Sequence, residues 1–155
     1  MRKSKAEDLD FQMCFYEGIV KDNPDFAEAL IALGEIYTKK GLYEKGLKID
    51  KRLIKLRPDS SIAHYNLGCS LSLMSDLTSS FKALKRAIEL GYDDVIFMNG
   101  DPDLSNLRGD GRFKELVKMI QRESAAKPQA KPQAKPQAKP QAKPQATPQA
   151  RQTRG

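Results

Sequence analysis

Tryptophan is absent from this chain, histidine occurs once, and there are two cysteines. A single imidazole with two thiols offers too few donors for a zinc site, and two cysteines do not make a disulfide framework. No window approaches the ~20 apolar residues of a membrane span. The N-terminal MRKSK is basic, but AEDLD follows it where a secretory signal needs an apolar run. Acidic residues are missing from residues 126–155, which hold Lys127, Lys131, Lys135, Lys139, Lys143, Arg151 and Arg154. Those seven charges account for the whole formal excess of +7, so residues 1–125 are neutral. The basic balance of the whole chain therefore says nothing about its body. These absences point to a cytoplasmic protein with reduced thiols, no metal, no cofactor and no membrane contact.

The basic end is five copies of KPQA (127–146), then TPQA and RQTRG. With no aromatic or branched apolar residue, it cannot bury enough surface to offset the entropy of ordering. Six of the nine prolines lie here, which favours extended polyproline-II stretches over helix. Residues 126–155 thus read as a disordered low-complexity tether, and residues 1–125 as one domain.

Within that domain a phrase is written twice. LIALGEIY (30–37) and HYNLGCSL (64–71) carry Leu33-Gly34 and Leu67-Gly68 at the same internal place. Laid over each other, 27–60 and 61–94 also match Ala29 with Ala63, Lys51-Arg52 with Lys85-Arg86, and Leu56 with Leu90. Each unit holds two helical patterns. Leu30, Leu33 and Tyr37 fall on one stripe of a helix from about 26 to 39. After Gly41, Tyr43, Leu47, Leu53, Ile54 and Leu56 mark a second helix that Pro58 terminates. Leu67 and Leu71, then Leu77, Phe81, Leu84 and Ile88, repeat the arrangement. Gly34 and Gly68 lie inside helices, where each costs about 1 kcal/mol relative to alanine. Their recurrence at one repeat position predicts a close approach by a neighbouring helix.

These residues resemble the tetratricopeptide repeat, a 34-residue helix pair with Leu-Gly at its seventh and eighth positions. Unit 27–60 supplies Leu30, Leu33, Gly34, Tyr37, Gly46 and Pro58 in register, although Asp50 stands where the family has an aromatic residue. Unit 61–94 supplies His64, Leu67, Gly68, Leu71, Ser80, Leu84 and Ala87, with Tyr92 in place of the proline. The resemblance implies an all-α fold, a right-handed α-solenoid of antiparallel helix pairs, with about two and a half repeats. Helix 6–22 would cap its front. Residues 95–125 would close its end: VIFMNG as a short helix, Leu104 and Leu107 as a plug, and 111–124 as a final amphipathic helix through Phe113, Leu116, Val117 and Ile120. A solenoid needs such a cap because its last core face is otherwise bare.

Signals of catalysis are weak. GLYEKGLK (41–48) imitates a phosphate loop, but Leu47 sits in the lysine position and no strand precedes it. Asp101, Asp103 and Ser105 imitate a calcium loop, yet Asn106 replaces its glycine and Arg112 its bidentate glutamate. A turn with helix caps accounts for them more simply. Arg108-Gly109-Asp110 is an adhesion tripeptide of a kind that chance supplies often. His64, the lone histidine, falls at a packing position with no acid or nucleophile fixed beside it.

Binding is the stronger reading. In the family that this chain resembles, the first helix of each pair lines a concave groove. The implied groove residues are Glu28, Ile31, Ala32, Glu35, Thr38 and Lys39, then Ile62, Tyr65, Asn66, Cys69, Ser72 and Leu73. Asn66 matches an asparagine that often bonds a bound peptide's backbone. Ile31 and Glu35 depart from the set that clamps acidic C-termini, so an extended peptide of mixed apolar and basic character fits better. The function that emerges is a non-catalytic scaffold or adaptor for a protein partner, itself monomeric or weakly self-associating. The alternative is a nucleic-acid-associated protein acting through its basic tail. Lysines four apart in a polyproline helix lie ~12 Å from each other, beyond the ~8 Å physiological screening length. The tail should therefore bind DNA or RNA weakly, without sequence preference, and lose that binding as salt approaches physiological strength. Anisotropy titrations at two salt concentrations check this; tight, salt-resistant binding that residues 1–125 lack would promote the alternative.

Overall fold

Residues 4–127, those that the computed structural model describes, form seven α-helices and one 3-10 turn. They are α1 (Lys5–Asp22), α2 (Ala27–Lys39), α3 (Tyr43–Leu56), α4 (Ser61–Leu73), α5 (Leu77–Glu89), α6 (Val95–Gly100), the 3-10 turn Pro102–Leu107 and α7 (Gly111–Ala126). No strand occurs among the described residues. The KPQA segment beyond Lys127, read above as a disordered tether, lies outside them.

Helix starts keep the repeat period through the whole solenoid. α2, α4 and α6 begin at 27, 61 and 95, and α3, α5 and α7 begin at 43, 77 and 111. The segment after residue 94 therefore occupies the place of a third helix pair, which the residue matches did not disclose.

Local chemistry sets these ends. Ser4 and Glu7 form a reciprocal capping box at α1, which satisfies two amide N–H groups that the helix leaves bare. Ser60, Asp76, Asp94 and Asp110 accept from backbone N–H groups at the starts of α4, α5, α6 and α7. Gly41 takes φ 72° after α2, and Ser75, one repeat later, takes φ 61° after α4. Serine tolerates that left-handed conformation less readily than glycine does.

Pairs cross where the sequence places its glycines. A Cβ on Gly34 would stand 3.2 Å from Ile49 Cγ2 of α3, and one on Gly68 would stand 2.7 Å from both Cγ and Cδ2 of Leu84 on α5. Small residues face them from the second helix, Gly46 in one pair and Ser80 in the next. The Ser80 hydroxyl donates to the Gly68 carbonyl at 2.6 Å, and the Thr38 hydroxyl donates to that of Gly34 at 3.0 Å. Asp50, in the family's aromatic place, is buried and accepts a hydrogen bond from Ser70 of α4. A polar link there ties one pair to the next.

In the third pair Asp101-Pro102 stands where the first two carry Leu33-Gly34 and Leu67-Gly68. Proline has no amide hydrogen to donate, and it pushes the preceding residue out of helical geometry. α6 accordingly stops at Gly100, Asp101 is extended (φ −69°, ψ 115°), and the chain resumes as a 3-10 turn. The break turns Leu104 and Leu107 inward, and both are fully buried in one core with Phe81, Leu84, Ile88, Phe113, Leu116 and Ile120. Pro102 stands in the first turn of this 3-10 segment, where its missing amide hydrogen is not needed, and each buried leucine contributes about 1.5–3 kcal/mol to the core.

Gly68→Ala is expected to destabilise the fold by about 1–3 kcal/mol, because Leu84 must move at its branch point. Gly34→Ala should cost less, since only the Ile49 methyl has to give. Denaturant unfolding of the two variants checks the order; equal stabilities would contradict it.

Candidate partner-binding site

Of the residues expected on the α2 side of the groove, three are engaged by charge. Glu28 accepts from Arg57 at 2.7 Å, and that hydrogen bond holds its carboxyl below the usual range. Lys39 Nζ lies 3.9 Å from Glu35, with Lys39 the more exposed of the two. Thr38 is turned back onto the Gly34 carbonyl. Ile31 is half-buried against Ala27, Leu30 and Leu53, and Ala32 is half-buried beside it.

The α4 side divides into open and closed positions. Ile62 is 42% exposed, and Asn66 and Leu73 are half-buried. The Asn66 carboxamide makes no hydrogen bond among the described residues, unlike the amide of Asn106, which donates to the Ser72 carbonyl at 3.0 Å. Tyr65, Cys69 and Ser72 are buried. Tyr65 stacks on Tyr92 with ring centroids 4.3 Å apart, and its hydroxyl donates to Asp101 Oδ2 at 2.8 Å. The Cys69 thiol meets the same oxygen at 3.6 Å. Asp101 Oδ1 in turn accepts from the Asp103 amide at 3.0 Å, and Arg108 donates to the Asp101 carbonyl.

Tyr65 therefore turns inward, with Tyr92 stacked on its ring and Asp101 taking its hydroxyl. The reason is the broken third helix, which drops its polar turn onto α4. Burial pushes the Cys69 thiol well above its ordinary range, followed by the nearby Asp101 charge. Burial is also the leading cause that raises the Tyr65 phenol. Both stay protonated and serve as donors.

Sequence reasoning missed the apolar end of this face. Ile96 is 84% and Phe97 47% exposed on α6, and the Phe97 ring lies 6.0 Å from that of Tyr65. The signal was present: Glu28, Ile62 and Ile96 are successive occupants of one repeat position. His64 is tied to the preceding turn, its Nε2 2.8 Å from the Pro58 carbonyl oxygen. No cluster of three metal-ligating side chains occurs among the described residues, and none of their helices is long and apolar enough to cross a membrane.

A family profile described as tetratricopeptide repeat matches residues 27–60. The chain is 32% identical over 87 residues to a chloroplastic protein of Arabidopsis thaliana, covering 54% of this chain and 26% of that protein. It is 36% identical over 83 residues to "Protein CTR9 homolog" of the same plant, covering 54% of this chain and 8% of that one. The match thus spans about a quarter or less of either relative. Among solved structures, the crystal structure of MamA superposes with a TM-score of 0.54 at 20% identity, covering 81% of this chain and 87% of that one.

The raised thiol and phenol carry a sign. Groups whose folded pKa lies above the unfolded one lend stability that is full below the unfolded value and is lost as pH rises past it. Stability should thus fall as pH climbs through about 8.5–10, the ordinary thiol and phenol range. Denaturant midpoints at pH 8 and pH ~10.5 measure this, and a Tyr65→Phe, Cys69→Ser double variant should show a smaller drop. An equal drop in the variant would place its cause elsewhere.

Proposed function

We propose that this chain, a tetratricopeptide-repeat protein, is a non-catalytic scaffold or adaptor that holds a partner along the face of α2, α4 and α6. The repeats and the solenoid fold support protein–protein interaction as its general role. The finer reading is an extended peptide lying across the first helices of successive pairs. One observation carries it: Asn66 keeps an unused carboxamide beside the exposed Ile62, with Ile96 and Phe97 exposed further along the solenoid. An amide offers a donor and an acceptor together, as a peptide backbone requires, and the apolar side chains supply area to bury. Of the groove residues inferred from sequence, Lys39, Ile62, Asn66 and Leu73 remain candidates for direct contact. Glu28, Ile31, Glu35 and Thr38 form the floor and rim.

Residues 1–125 form the binding unit in this reading, and the KPQA segment tethers it. Neither Cys14 nor Cys69 is in a disulfide, which goes with a reducing compartment, here taken as the cytoplasm. Lone His64, occupied by a backbone oxygen, supports binding without catalysis.

Ile62→Ala with Asn66→Ala is expected to weaken partner binding by about 1–3 kcal/mol while leaving the melting temperature within a degree or two. Tyr65→Ala is unsuited to this purpose because it would open the core. Calorimetry on a partner recovered by nuclease-treated pull-down supplies the measurement, with Lys51→Glu on the exposed side of α3 as the control. Retained affinity in the double variant, with loss in the control, would move the site to the other face.

A further inference from the structure

Helix α1 leaves both of its phenylalanines outside, while Leu9, Met13, Tyr16, Ile19 and Val20 are half-buried. It has no fully buried residue, and Phe11 and Phe15 are 66% and 53% exposed. Cys14 is exposed with them, and Gly18 lies on the same side with open space where a side chain would stand. Phe11, Cys14, Phe15 and Gly18 fall at i, i+3, i+4 and i+7, one continuous stripe of a helix. The opposite side, through Val20, is the one that packs on the α2–α3 core. This stripe is therefore distinct from the partner-binding face proposed above.

Gly18 is the second clue. Gly34 and Gly68 are explained by side chains of a neighbouring helix that a Cβ would meet, whereas a Cβ on Gly18 would meet nothing within 4 Å. A glycine in a helix interior weakens the helix, and no contact among the described residues accounts for it. A gap of that shape beside two exposed phenylalanines fits a helix that approaches from outside.

We infer that α1 pairs antiparallel with α1 of a second copy of this chain. The stripe is self-complementary in that direction. Phe11 and Gly18 are two turns apart, about 10.5 Å along the axis. An antiparallel mate related by a two-fold axis near Cys14 and Phe15 lays each Phe11 over the partner's gap at the glycine, twice by symmetry. A parallel mate would set phenylalanine on phenylalanine and gap on gap. Charge agrees on one flank, where Glu7, Cys14 and Lys21 recur every two turns: Glu7 meets Lys21 of the other copy, and the two Cys14 thiols meet at the centre. On the other flank Asp8 opposes Asp22 of the other copy, a repulsion that keeps the pairing weak. One helix per copy is a small interface, so the dimer belongs in the micromolar range.

The test uses the full chain. Sedimentation velocity across the micromolar range should show the average mass rising toward that of a dimer. Mild oxidation should trap a disulfide-linked dimer through Cys14, absent in Cys14→Ser. Phe15→Glu should raise the dissociation constant roughly tenfold or more with little loss of melting temperature in dilute solution, where the wild type is monomeric and the side chain is 53% exposed. Asp22→Lys should tighten the dimer by replacing repulsion with attraction, a gain that no general loss of stability can imitate. A monomer at every concentration overturns the inference and leaves the stripe to a helix of another protein. A dimer indifferent to Phe15→Glu and Asp22→Lys overturns it equally, by placing the contact elsewhere.

Discussion

The distance at which paired helices cross governs this molecule. At Gly68 the α4 backbone comes so near α5 that Leu84 lies where a side chain would begin, and Ser80 reaches the Gly68 carbonyl. A contact that close has little tolerance, because an added methyl there forces a well-packed core to shift. It fixes the rotation of each helix about its axis and hence which residues point inward. Once Gly34 and Gly68 hold their pairs in the same way, the second pair can stack on the first with the same offset. The repeat in sequence then becomes a repeat in space.

The end of the solenoid follows from failure of that contact. Where a third glycine would sit there is Pro102, and the helix cannot run on through it. What replaces the crossing is a polar knot: Tyr65, Cys69 and the Asp103 amide all donate to the Asp101 side chain, while Arg108 takes its carbonyl. A satisfied hydrogen bond contributes about 1 kcal/mol and an orphaned buried one costs more, so the knot specifies the turn more than it strengthens it. The leucines beside it supply the area.

Much of this was legible in residues. Glycines at one repeat position announced a close approach, Gly41 and Pro58 marked helix ends, and Leu104 and Leu107 were expected inside, where they are. Less legible was the third pair. Its period survives, but Leu-Gly has become Asp-Pro, and a comparison of residue identities loses a repeat whose key position has changed role. The same substitution explains the groove. The equivalent residues one repeat earlier, Ile31, Glu35 and Thr38, are followed by the intact α4 and stay half-buried, whereas Tyr65, Cys69 and Ser72 are buried. After these a broken helix follows, and its turn falls on them. A residue's place in a repeat settles its direction; what it meets depends on the next unit.

Each unit touches only its neighbours, and the terminating proline lies wholly within the last one. The instruction to stop is thus separate from the instruction to stack. Copying one whole unit in the middle of the chain would lengthen the array, with the capping box at Ser4 and the stop at Pro102 untouched. The number of repeats is free to vary over evolutionary time while both ends are inherited unchanged.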